Sequence, residues 1–392
     1  MGLMRKKQFD MKEKASAIWS EYIIDGTRMT ATPGDMLCSS CNNCNAIEGK
    51  RNFIPIIDET FDPVPLQTSF DNSDIDNYLK HILSFKGCRE ISAEYPEFMT
   101  KSRIVSALLD NIWKSGHFRL EDLYISPCWK WASGPIGNMA AFYRSVESAC
   151  DYCNDLGIRI NSYLFTEGQG RFIEINTGLF VENKSYPIAE KEQEIDLNPV
   201  QDITNISPIR KCKSKLSEDN SSWVIYIPFD TCDFHLGSSL LYETVGGSCE
   251  KAPDINDTKY FSDCYEVVRE LIEDGIVKSG ISVGDGGLMT ALSHLIPKNS
   301  GFSADISGLM KSYAENNIVR ILFSEVPGVI IEIDDSDYDY IDAEFLLQDV
   351  AYYPLGHPCS NKKGLRITMS DLSDISGILQ ALINGQDYEG ED

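Results

Sequence analysis

Residues 101–114 place Ile104, Val105, Ala107, Leu108, Ile112 and Trp113 on one side of a 3.6-residue period, and Gly116 follows, so a helix is predicted there. A second helix is predicted over 139–156, where Phe142, Val146, Ala149, Cys150 and Cys153 share a face and Gly157 supplies the stop. Helical periods also cover 75–85, 263–274, 340–350 and 372–383, and run through Ile18, Trp19, Tyr22 and Ile23 up to Gly26. Between them lie short β-branched or alternating runs that read as strands: 52–57, 63–70, 123–125 leading into 128–132, 158–164, 171–175, 178–182, 223–227, 329–333 and 364–369. Trp129 and Trp131 alternate about Lys130, so both indoles face one side, as core or interface packing.

One stretch organises the rest. Residues 280–285 are β-branched and glycine-rich, Gly286-Gly287 follow, and Leu288, Met289, Ala291, Leu292, Leu295 and Ile296 open a helical period that Pro297 ends; 302–306 is extended again. This is strand, tight turn, helix, strand. Paired glycines let backbone come close to a ligand or to a neighbouring strand, and helix-opening N–H groups suit an anion such as a phosphate.

Residues 183–221 are polar with few bulky apolar groups and read as a linker or surface excursion. They divide the chain into an N-terminal segment with a cysteine cluster (1–97), an α/β unit (98–182), the linker (183–221), an α+β unit (222–385) and an acidic tail (386–392). The 392 residues suffice for two or three domains with full cores. Sixty acidic against 35 basic residues give a formal charge of −25, which argues against nucleic acid or an anionic membrane as partner. No signal peptide and no membrane-length apolar run is read, so a cytoplasmic protein is expected.

Twelve cysteines are scattered rather than framed as a disulfide scaffold. Cys38, Cys41 and Cys44, at two-residue gaps, are a candidate Zn or Fe–S site, with Cys88 or His81 as distant fourth ligands; free cytosolic thiols are the alternative. His235, His294 and His357 are isolated and read as hydrogen-bonded or surface residues. The acidic run 332–342 lacks the glycine of a calcium loop and reads as a solvated hairpin end.

Several motifs then stand in a telling order. Residues 101–157 give a helix, Trp129-Lys-Trp131-Ala132, a loop and a helix; Leu236-Gly237-Ser238-Ser239 follows a hydrophobic strand; Asp285-Gly286-Gly287-Leu288 ends the stretch above; and Phe323-Ser324-Glu325 precedes another strand. Over roughly residues 98–358 this resembles the second half of phosphoribosylformylglycinamidine synthase, in the aminoimidazole ribonucleotide synthetase superfamily.

The resemblance implies a two-domain α/β and α+β fold whose N-terminal sheet forms a barrel across a dimer or pseudo-dimer interface. It implies an ATP-dependent C–N ligase in which an amide oxygen is phosphorylated and an amine then displaces phosphate, with ATP and Mg²⁺ as cofactors. Gly284, Asp285, Gly286 and Gly287 would cradle phosphate, and Glu325 matches an acidic position. The substrate would be a phosphorylated or amide small molecule, and the partner a second copy or a related chain. Departures accompany the match. Where the family has Gly-Lys-Asp-Ser, this chain has residues 161–167 with only Glu167 as an acid; Ile281-Ser282 stands for His-Asp, and Asn138 for a glutamate. Two functions are therefore expected side by side: a ligase with a remodelled site, or a non-catalytic homologue serving as a binding or scaffolding subunit.

Overall fold

The computed structural model describes residues 17–40, 72–116, 118–180, 203–204, 209–217, 220–245, 250–298, 300–359 and 364–368. The first element is a hairpin of β1 (Ile23–Ile24) and β2 (Thr27–Arg28), paired Ile23 with Arg28 and Ile24 with Thr27. This replaces the helix expected through Ile18, Trp19, Tyr22 and Ile23. Asp25 and Gly26 hold φ values of 52° and 78°, the two left-handed positions of a tight hairpin turn, and Asp-Gly is a favoured pair for it. Turn chemistry outweighs the apolar period here.

Four helices and a sheet follow: α1 (Pro33–Ser40), α2 (Asn72–Ser84), α3 (Pro96–Ile112), β3 (Leu123–Trp131), α4 (Asn138–Leu156), β4 (Arg159–Ile160), β5 (Leu164–Glu167), β6 (Arg171–Phe180) and β7 (Ile203–Thr204). Helix α3 starts five residues before the apolar period because Pro96 opens it, a position where the missing N–H costs nothing. Strand β3 is central, antiparallel to β6 and parallel to β4 and β5, and β7 extends β6. The strands expected over 171–175 and from 178 onward are one continuous β6 as far as Phe180, and 181–182 lie outside the described residues. Phe142 of α4 packs its ring 6.1 Å from Trp129, 5.7 Å from Trp131 and 4.9 Å from Phe165. The tryptophans are thus core residues, and their N–H groups bond Ser145 Oγ and the Asn138 carbonyl.

The rest of the chain supplies β8 (Ser222–Pro228), α5 (Leu240–Val245), α6 (Thr258–Glu273), β9 (Ser279–Val283), α7 (Gly287–Leu295), β10 (Gly301–Asp305), α8 (Ser307–Ser312), α9 (Ile318–Phe323), β11 (Gly328–Asp334), α10 (Tyr338–Leu347), β12 (Tyr353–Gly356), β13 (Pro358–Cys359) and β14 (Gly364–Thr368). An antiparallel sheet runs β12-β8-β11-β9, and a small one β13-β10-β14. Strands β8 and β11 read as continuous apolar runs because both faces of their sheet are covered. Alternate residues serve different cores. Ile225, Ile227, Val329, Ile331 and Ile333 join a cluster with α3, α4 and α6, whereas Val224, Tyr226 and Ile330 join one with α5, α7 and α9.

Inside the polar stretch, residues 209–217 bond elements from both sides of it: Lys211 N–H bonds the Trp113 carbonyl, Gly280 N–H the Lys213 carbonyl, and Leu216 N–H the Leu295 carbonyl. Glu332, within the acidic run, is fully buried and accepts from Ser217 and Ser279. Residues 52–57, 63–70 and 372–383, expected as two strands and a helix, lie outside the described residues. Among the described residues no helix is long and apolar enough to cross a membrane.

Candidate functional site

Strand β9 delivers the turn at Gly284–Gly287, closed by Gly287 N–H to the Gly284 carbonyl at 2.9 Å. Gly286 and Gly287 sit at φ of 78° and 67°, the left-handed region that side chains resist. A Cβ on Gly287 would stand 2.6 Å from the Ser324 carbonyl and 2.7 Å from that of Leu322. Gly287 thus serves close backbone approach, to the end of α9 rather than to the neighbouring strand that the sequence suggests. That approach carries Glu325 to the mouth of α7.

Glu325 is 3% exposed, and its Oε1 accepts from the Gly286 N–H at 2.9 Å and the Leu240 N–H at 2.8 Å. A carboxylate of the chain itself therefore occupies the Gly286 N–H, one of those that the sequence offers to a phosphate. The carboxylate is pinned from the other side by Arg89, in the loop between α2 and α3. Arg89 Nη1 lies 2.8 and 2.6 Å from the two Glu325 oxygens and 2.8 Å from Asp285 Oδ1. Its Nε and Nη2 take the Glu243 carboxylate at 3.0 and 2.9 Å, and Nη2 also bonds the Ser238 carbonyl. Arg103 of α3 completes the cluster through Asp285 Oδ2 at 2.8 Å.

Three carboxylates face two guanidinium groups. Burial disfavours the charged form of Arg89, but the Glu325, Glu243 and Asp285 carboxylates outweigh it and keep the guanidinium firmly protonated. Burial likewise pushes the Asp285 carboxyl up, and Arg103 and Arg89 overcome it, holding the group at about 2. For Glu325 burial wins: its carboxyl is raised against the pull of Arg89 and of the Gly286 and Leu240 N–H groups. Asp285 and Glu325 are thus brought together through a cation supplied by the chain. Asp285 and Glu325 as arranged do not fit Mg²⁺, and the Gly286 N–H does not fit a phosphate, because the carboxylate oxygens are committed to Arg89 and Arg103 and that N–H to Glu325.

The other predicted positions fall elsewhere. Glu167 ends β5, is exposed, and accepts from Ser133 Oγ at 2.5 Å. Asn138 is buried and structural, accepting from Arg171 and donating to the Ala132 carbonyl. His294 and His357 hydrogen-bond the carbonyls of Leu83 and Ser222. Cys38 lies half-buried on α1, while Cys41 and Cys44 lie outside the described residues. Among the described residues no group of three or more His, Cys, Asp or Glu is placed to hold a metal ion. Arg89 itself had no signal in the sequence. It follows Gly87-Cys88 in an unpatterned loop, and its partners lie 149 to 236 residues further on.

No family model matches the chain. Among curated proteins it is 24% identical over 269 residues to a probable phosphoribosylformylglycinamidine synthase, chloroplastic/mitochondrial, of Arabidopsis thaliana, covering 67% of this chain and 17% of that protein. It is 26% identical over 163 residues to phosphoribosylformylglycinamidine synthase subunit PurL of Methanocaldococcus jannaschii, covering 41% of this chain and 21% of the relative. Among solved structures, T. maritima PurL complexed with FGAR matches with a TM-score of 0.50 at 12% identity, over 74% of this chain and 44% of that one. The chain spans less than a quarter of the length of these curated relatives. The fold is thus of the PurL kind, and the chain is similar in sequence, over part of its length, to the phosphoribosylformylglycinamidine synthases whose motifs it resembles.

Proposed function

We propose that this chain is a non-catalytic homologue of the amidine synthases, a binding or scaffolding subunit of a synthetase-like complex. The observation that carries the reading is the Glu325 carboxylate on the Gly286 and Leu240 N–H groups, clamped there by Arg89. A phosphate entering that turn would have to displace a buried, doubly hydrogen-bonded carboxylate and face it at close range. The missing Lys-Asp and His-Asp pairs of the family motifs point the same way. In this reading the chain pairs with a second copy or a related chain, its five-stranded sheet contributing to the barrel that the resemblance implies, and the expected two-domain division places Arg89 ahead of the first unit.

The second reading keeps the activity: an ATP-dependent C–N ligase with a remodelled site, acting on a phosphorylated or amide small molecule. The sequence similarity to synthases favours it. Isothermal titration of the full chain with Mg-ATP and with a non-hydrolysable analogue separates the two. The scaffold reading expects no heat and no thermal shift at millimolar nucleotide; saturable binding with ADP formation overturns it. Metal analysis of anaerobically purified protein addresses the Cys38, Cys41 and Cys44 site, where one equivalent of Zn or Fe supports a structural metal and less than about a tenth removes it.

A further inference from the structure

We infer that the Arg89 guanidinium is a built-in replacement for a divalent cation between Asp285 and Glu325. The inference deepens the reading of this site as one closed to Mg-ATP and rests on it. A single nitrogen, Arg89 Nη1, has three carboxylate oxygens from these two residues around it, at 2.8, 2.8 and 2.6 Å. Three carboxylate oxygens thus converge on one positive centre, as around a bound cation, at distances roughly half an ångström or more beyond the 2.0–2.1 Å of magnesium–oxygen bonds. The side chain is 3% exposed, as is that of Glu325. Among the described residues Arg89 is the cation bonded to Glu325, because Arg103 bonds the far oxygen of Asp285.

The charge count agrees. Asp285, Glu325 and Glu243 against Arg89 and Arg103 leave one negative charge in excess. Taking Arg89 away leaves two, the deficit that one divalent ion removes. Since no three metal-binding side chains converge among the described residues, the ion would be held by the two carboxylates and by water, a ligand set that magnesium and manganese accept.

The guanidinium has a second effect that an ion would lack. Its Nε and Nη2 tie Glu243 of α5 and the Ser238 carbonyl to the same centre, so the loop at Arg89 holds the mouths of α5 and α7 in one arrangement. A chain so built keeps this turn ordered without metal.

The test uses Mn²⁺ alone, on the full chain and on the variants Arg89→Ala and Arg89→Gln. Binding is followed by the loss of the free-ion electron paramagnetic signal, and melting by circular dichroism with and without Mn²⁺. The unaltered chain is expected to show no added equivalent at millimolar Mn²⁺ and no change in melting when Mn²⁺ is added. Arg89→Ala is expected to gain about one equivalent, with a dissociation constant of roughly 10⁻⁵–10⁻³ M, and a melting point that Mn²⁺ raises. Adding Glu325→Gln to that variant should weaken the new site at least tenfold.

A folded Arg89→Ala or Arg89→Gln chain that binds no more Mn²⁺ than the unaltered one overturns the inference. So does failure of both variants to fold even when refolded with Mn²⁺, since an ion in that place restores the charge balance. Metal-dependent refolding supports it. Nucleotide binding by the unaltered chain would remove the scaffold reading, yet it leaves this inference standing as long as only the Arg89 variants gain the Mn²⁺ equivalent.

Discussion

Replacing Glu325 by alanine strips the clamp from its acceptor side. Arg89 loses two of its close oxygens, and the Gly286 and Leu240 N–H groups lose their partner, all within a centre that is almost wholly buried. Removing one member of a buried ion pair costs about 3–5 kcal/mol, because the charge left behind cannot return to water. Each orphaned N–H adds a desolvation cost of about 1–3 kcal/mol, but the three losses stem from one group and overlap rather than add. The expected destabilisation is therefore about 3–5 kcal/mol. Glu325→Gln keeps an amide oxygen for the N–H groups but sets its NH₂ against Arg89 Nη1 in place of the second oxygen, so the ion pair is lost as well, and about 3 kcal/mol is expected, the lower end of the alanine range. Urea unfolding followed by tryptophan fluorescence measures both, with Trp113 a local reporter through its 2.7 Å bond to Ser282 Oγ near the turn. An alanine variant within about 1 kcal/mol of the parent, at unchanged denaturant slope, refutes a load-carrying Glu325.

Gly287→Ala forces a Cβ into the left-handed region and to 2.6 Å from the Ser324 carbonyl; a loss of about 1–3 kcal/mol is expected, and a neutral result in the same urea assay contradicts the close approach of turn and α9. Phe142→Ala empties the space shared with Trp129, Trp131 and Phe165 and should cost about 3–5 kcal/mol, read by urea unfolding together with loss of near-ultraviolet circular dichroism from the indoles. Asp285 has a folded-state carboxyl at about 2 against an unfolded value near 3.9, so its contribution is present above pH ~4 and lost as pH falls towards about 2. Glu325, raised by burial, acts in the opposite sense, its charged form costing stability above its unfolded value. The difference between parent and Asp285→Asn stability should therefore shrink by about 2 kcal/mol across that window, and a constant difference contradicts the pairing.

Local pattern made much of the fold legible. Residues 101–112 and 139–156 are helical because their apolar positions recur at helical spacing, and 329–333 is an interior strand because no polar residue but Glu332 interrupts it. Near Ile23 the apolar period points to a helix, but the Asp25-Gly26 turn decides for a hairpin. In β6, Asn176 and Thr177 are polar and interrupt the apolar pattern, yet they stay in register with Ser126 and Ile125. The site was half legible. The Asp285-Gly286-Gly287 turn announces backbone that needs left-handed glycine, but what fills it is Glu325, 39 residues on, and the cation that holds Glu325 comes from a featureless loop 236 residues before it. No single-sequence pattern carries such contacts. The Glu332 carboxylate illustrates the same limit, reading as part of a solvated acidic run while lying fully buried beneath Ser217 and Ser279.

The central claim, that the chain's own carboxylate fills the anion cradle, is most directly tested by a crystal structure of the full chain grown with Mg²⁺ and a non-hydrolysable ATP analogue at millimolar concentration. The account predicts Arg89 still bonded to both Glu325 oxygens and no phosphate density at the Gly286 N–H. A phosphate on that N–H, with Glu325 swung away from Arg89, contradicts it.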